Sequence, residues 1–167
     1  MFVASSSEGT IVKFTPDGQQ TTFASGLTNA TFLAFEPVSE KLLNLSARGL
    51  VQSGEQVLIA GFIAGGNALP NNLVVIRAMG ASLAGAGVSN PLLDPMLELY
   101  DAKGEIIGSN NNWQDNKQSQ ITSLGLAPAD SHESALVTQL PAGNYTVVVR
   151  SHDETAGIAL VEVFNVR

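Results

Sequence analysis

Residues 140–166 read LPAGNYTVVVRSHDETAGIALVEVFNV, and this stretch decides the fold. Pro141-Ala142-Gly143-Asn144 is a turn, because proline presets φ and glycine accepts a positive φ. Tyr145-Thr146-Val147-Val148-Val149-Arg150 follows as a β-branched, aromatic run, the composition of a strand. Thr155-Ala156-Gly157 then turns the chain into a second run at 158–166. Strand, turn and strand in this order predict a terminal hairpin and an antiparallel β-sandwich.

Upstream, similar runs stand at 42–47, 55–64, 71–79, 96–101, 104–109 and 133–139, with Gly, Asn, Asp or Pro between them. The 55–64 and 71–79 runs are almost continuously apolar, which suits central strands covered on both faces. Leu97 and Leu99 alternate with Glu98 and Tyr100, as on a strand with one wet face. Helix is expected only as a short turn at 117–124, and Gly80-Ala81-Ser82-Leu83-Ala84-Gly85-Ala86-Gly87 reads as a flexible loop. The first 41 residues read as four further short strands, 2–5, 10–15, 20–24 and 31–36, with a turn at Pro16-Asp17-Gly18. A junction at 38–41 divides the chain into a fragment, 1–41, and a sandwich, 42–167. The fold class is therefore all-β: an antiparallel, jelly-roll-like sandwich behind an N-terminal β-meander.

Composition removes several functions. The chain has 167 residues, no cysteine, and 15 acids against 8 bases, a net charge of −7. Without cysteine there is no disulfide, thiolate metal site or thiol nucleophile. No cluster of Lys and Arg exists to hold nucleic acid or an anionic membrane surface. No apolar run reaches the roughly 18 residues of a membrane span. The first residues, Met1-Phe2-Val3-Ala4-Ser5, lack the basic and apolar regions of a signal peptide.

Two resemblances sharpen this reading. Gly9-Thr10-Ile11-Val12-Lys13-Phe14, Phe23-Ala24-Ser25-Gly26-Leu27 and Phe32-Leu33-Ala34-Phe35 resemble one blade of an NHL-type or gluconolactonase-like β-propeller, with Ala30 where a proline is usual. A single blade cannot cover its own apolar faces, so it needs the sandwich or another chain as neighbour. The segment LELYDAKGEIIGSN at 97–110, together with LPAGNYTVVV at 140–149, resembles the bacterial pre-peptidase C-terminal-type domain. So does VIRAMGASL at 75–83, followed by Asn111-Asn112-Trp113. That resemblance implies a jelly-roll-like accessory, adhesive or secretion-associated module of a large extracellular or cell-surface protein, without catalysis.

Several residues are candidates for chemistry. Asp101, Asn110, Asn111, Asn112 and Asp115 offer oxygens that suit Ca²⁺, the only cofactor the sequence brings to mind; the competing reading is that they build turns. Trp113, the sole tryptophan, is either a stacking platform for a glycan or a cap on the core. Arg77 lies inside an apolar strand and needs a carboxylate, from Glu98, Asp101 or Glu162, as a structural ion pair. Ser131-His132-Glu133 and Ser151-His152-Asp153 look like triad fragments, but triads assemble in space and not from neighbours in sequence. A metal between the two histidines with Asp153 or Glu154 is the other use for them.

The expected function is thus that of a non-catalytic accessory or adhesion module. Its partners would be other domains of a parent secreted protein or a second copy of the chain. The alternatives are a calcium- or carbohydrate-binding module, and the C-terminal piece of a lactonase-like propeller hydrolase. Loops 65–70, 80–95 and 109–120 are the expected contact surface.

Overall fold

The structure, a computed structural model, describes residues 2–5, 10–14, 18–26, 44–65 and 72–166. The chain divides into two compact units, Met1–Val38 and Ser39–Arg167. In the first, β1 (Phe2–Ser5), β2 (Thr10–Phe14) and β3 (Gln20–Ala24) form an antiparallel meander in sequence order. The strand expected at 31–36 and the junction at 38–41 lie outside the described residues.

The second unit is a sandwich of two four-stranded antiparallel sheets. Its strands are β4 (Asn44–Val51), β5 (Leu58–Ala64), β6 (Asn72–Met79), β7 (Pro95–Tyr100), β8 (Ile106–Asn110), β9 (Ser134–Leu140), β10 (Gly143–Ser151) and β11 (Gly157–Asn165). One sheet has the order β5-β10-β7-β8 and the other β4-β11-β6-β9. This is jelly-roll order, in which nearly every connection crosses between layers. Among the described strands of this unit, only β7 and β8 form a hairpin. There Asp101 Oδ1 accepts the Lys103 and Glu105 amides at 2.8 and 3.0 Å, and Gly104 takes φ 81°.

The expected terminal hairpin is corrected by this order. β10 pairs with β5 and β7, whereas β11 pairs with β4 and β6. The link between them is an arch from one sheet to the other, and so is the link through Pro141. That second arch is fixed by Tyr145, whose hydroxyl donates to the Pro141 carbonyl at 3.0 Å while its ring stacks on Phe62 at 5.5 Å.

Inward residues of both sheets fill the space between them: Ala60 and Phe62 of β5, Leu97 and Leu99 of β7, Val147 and Val149 of β10, Val161 and Val163 of β11. A second core lies on the outer face of the β4-β11-β6-β9 sheet. Leu73 and Val75 of β6 and Ala135 and Val137 of β9 meet Trp113 and Ile121 there. Ile121 belongs to α1 (Gln118–Ser123), within the helical turn expected at 117–124. β6 is thus covered on both faces, as its run of apolar residues requires.

β5 is not. It is an edge strand, and Ile59 and Ile63 on its outer face are 60% and 69% exposed, so its expected central position is corrected. The Gly80–Gly87 stretch also differs from expectation. Ala81–Ala86 forms a 3₁₀ turn with Leu83 buried beneath it. A β-carbon on Gly80 would stand 2.0 Å from the Leu92 carbonyl oxygen, so only glycine fits this crossing.

Candidate functional site

At one end of the sandwich, three connections meet: the 80–95 segment, the 128–133 approach to β9, and the 151–156 arch. They enclose an open depression of about 380 Å³ lined by Ala81, Leu93, Asp94, Asp130, His132 and Asp153. Three carboxylates and an imidazole therefore share one surface, and His152 joins through Asp94. The His152 amide donates to the Asp94 carbonyl at 3.0 Å, and its Nδ1 lies 3.0 Å from Asp94 Oδ2. Asp94 Oδ1 is buried without a hydrogen-bond partner among the described residues.

Each of the other acids organises its own turn. Asp130 Oδ1 accepts the His132 amide at 2.9 Å and faces His132 Nδ1 at 3.1 Å. Asp153 Oδ1 accepts the Thr155 and Ser151 hydroxyls at 2.7 and 2.9 Å. These bonds, that of Thr155 foremost, hold the Asp153 carboxyl below the usual carboxylate range. Ser151 therefore bonds Asp153 while His152 turns to Asp94, and no relay from serine through histidine to acid is formed.

Beneath the depression lies Glu133, which is fully buried. Its Oε1 accepts the Gly80 amide at 2.8 Å, the Ser82 amide at 3.0 Å and the Ser82 hydroxyl at 2.6 Å; Oε2 accepts the Asp130 amide at 3.3 Å. One carboxylate thus ties the start of the 3₁₀ turn to the approach to β9. Ser131-His132-Glu133 is split in the same way as the other fragment, with His132 on the surface and Glu133 facing Ser82. Among the described residues, no three His, Asp or Glu side chains sit close enough to hold one metal ion.

Asp101 is set apart from the other expected cation ligands, whereas Asn110, Asn112 and Asp115 are linked to one another. Asp101 belongs to the β7–β8 turn, where the Glu105 amide, ahead of that of Lys103, lowers its pKa. Asn110 pairs with Leu97 at the opposite end of the hairpin, four residues away at ~3.3 Å each. Asn110 Oδ1 accepts the Ala135 amide at 2.9 Å, and its Nδ2 donates to the Asn112 carbonyl. Asn112 Nδ2 donates to Asp115 Oδ2 at 3.2 Å. Asn111 Oδ1 is buried without a hydrogen-bond partner among the described residues. Trp113 is 8% exposed, and its Nε1 donates to the Asp130 carbonyl at 3.1 Å, so its ring faces the second core instead of solvent.

Arg77 sits opposite Glu162 across β6 and β11. Its Nε and Nη2 both donate to Glu162 Oε2, its Nη1 donates to the Leu126 carbonyl at 3.1 Å, and its guanidinium stacks over Phe164 at 5.1 Å. Asp94 and Asp130 escaped the sequence reading. The Asp94-Pro95 pair before β7 was their one visible signal, since Asx-Pro marks a chain reversal.

No family model matches the chain, and no curated protein matches it. Solved structures are similar in fold. One of them is the pre-peptidase C-terminal domain of collagenase from Bacillus anthracis, 12% identical, with a TM-score of 0.46 over 72% of this chain and 89% of that one. The fold assignment rests on the strand order itself. The propeller-blade resemblance gains no support from these comparisons. No helix among the described residues is long and apolar enough to cross a membrane.

Proposed function

We propose that the Ser39–Arg167 unit is a non-catalytic accessory module, of the adhesion type, of a larger secreted bacterial protein, acting outside the cell or at its surface. The observation that supports this reading is the use made of buried and half-buried charge. Glu133 pins two loops, Arg77 and Glu162 join two strands, and Arg150 Nε meets Glu98 Oε2 at 3.0 Å, with the Tyr100 hydroxyl on the same oxygen at 2.7 Å. Each group holds the architecture, Asp130 and Asp153 are occupied by their own turns, and Asp94 faces His152. On this reading the partners are other domains of the parent protein or a second copy of the chain.

The test has two arms. A fluorescent protein fused to the whole chain is expected to be retained on bacterial cell walls or polysaccharide beads above the level of the fluorescent protein alone. The same chain is expected to turn over no ester, lactone or peptide substrate. Turnover that Asp94→Asn abolishes overturns the non-catalytic reading. Equal retention of fusion and control overturns adhesion. Retention that appears only with added calcium, or on one glycan alone, replaces it with the calcium- or carbohydrate-binding alternative.

A further inference from the structure

A β-sandwich has four sheet edges, and unprotected edges invite pairing with another chain. Here three are guarded. At β9, the Ala135 amide donates to Asn110 Oδ1 and the Val137 carbonyl accepts Lys117 Nζ at 2.9 Å, so side chains occupy the edge. β4 turns Asn44, Ser46 and Arg48 outward. β8 is five residues long and its register shifts between Leu99 and Tyr100 of β7. Short, polar or bulged edges resist pairing.

β5 has none of these devices. Leu58-Ile59-Ala60-Gly61-Phe62-Ile63-Ala64 carries no charge and no proline, and it pairs with β10 alone. Its outward residues are Ile59, Gly61 and Ile63, all exposed. This is the composition of a strand covered on both faces, yet among the described residues one face and one edge have no cover.

We infer that β5 is the contact through which two copies of this chain associate, edge to edge and antiparallel about a two-fold axis at Gly61. The strand is self-complementary about that point. Ile59 faces the partner's Ile63 and Ile63 faces the partner's Ile59, at the spacing where β-branched cross-strand pairs stabilise. Such an isologous contact needs one patch to match itself, and this pattern does. The strand bears no charge, so this pairing sets no like charges opposite each other in a chain of net charge −7. The two β5-β10-β7-β8 sheets then run on as one, and four isoleucines close over its outer face. A single strand pair is small for an interface, so the association is weak and follows concentration. The inference does not depend on the accessory reading.

Sedimentation velocity on the full chain over a range of concentrations tests it. The mass is expected to rise toward twice that of the monomer. Ile59→Lys and Ile63→Lys, at exposed positions, are expected to stay monomeric, while Ile106→Lys, on the exposed face of β8, is expected to dimerise unchanged. Near-ultraviolet circular dichroism from buried Trp113 verifies folding, and Ile63→Thr serves if a lysine variant unfolds. Amide exchange at Leu58–Ala64 is expected to slow with concentration. A full chain that is monomeric throughout, or with β5 protected equally at every dilution, overturns the inference. So does a dimer that survives both β5 substitutions.

Discussion

The Glu133 carboxylate accepts the Gly80 amide at 2.8 Å across 53 positions of chain, inside a space from which water is excluded. Glu133→Ala strands that donor and the Ser82 amide. A buried donor left unsatisfied costs ~1–3 kcal/mol. The expected loss is about 3 kcal/mol in chemical denaturation, with the slope of unfolding unchanged. Glu133→Gln keeps an acceptor and is expected to lose less.

Gly157 begins β11 where the chain passes over Leu92. A β-carbon there would meet the Leu92 amide nitrogen at 2.5 Å, and the Leu92 amide itself donates to the Ile158 carbonyl at 2.9 Å. Backbone cannot yield as a side chain can. Gly157→Ala is expected to destabilise by about 3 kcal/mol, the upper end of overpacking costs. A melting temperature equal to that of the unaltered chain would contradict the packing.

Arg77 and Glu162 provide a coupling measurement. Both side chains are mostly buried, and each is the ion-pair partner of the other. Arg77→Met and Glu162→Gln, alone and combined, are expected to show a coupling energy of about 2 kcal/mol, because a lone buried charge costs more than the pair contributes. Simple additivity would show that the pair is inert.

Asp101 gives the pH dependence. Its folded pKa is depressed below the usual carboxylate range by the Glu105 amide and then that of Lys103. A depressed acid stabilises above its unfolded pKa, and the contribution disappears as pH falls through the folded value. Asp101→Asn is therefore expected to lower stability at pH 7, with an effect that shrinks as the pH falls through the folded pKa. Carbon-detected NMR titration should place the Asp101 midpoint below that of a model peptide.

What the sequence revealed follows from what alternation encodes. Leu97 and Leu99 against Glu98 and Tyr100 gave the faces of β7, because alternation is written in adjacent residues. Alternation says which face a residue takes but not which sheet its strand joins. Hence β10 and β11 read as neighbours, although the 151–156 segment carries the chain across the sandwich. β5 and β6 looked alike for the same reason, and only the pairing partners separate an edge from a centre. Glu133 was legible as an acid beside a histidine. Its burial depends on Gly80 and Ser82, which no local pattern connects to it. The five expected cation ligands were grouped by proximity in sequence, but Asp101 lies in the turn before β8 and Asn110 at the far end of that strand.

The placement of β10 and β11 in the middle of their sheets has a consequence for synthesis. β4 reaches β6 only through β11, and β5 reaches β7 only through β10. A chain emerging from the ribosome therefore cannot close either layer until its last strands are out. Partners so distant along the chain make for slow folding. A product cut short before β11 would leave β4 with no neighbour among the described strands of its sheet, so the whole layer waits on one late strand.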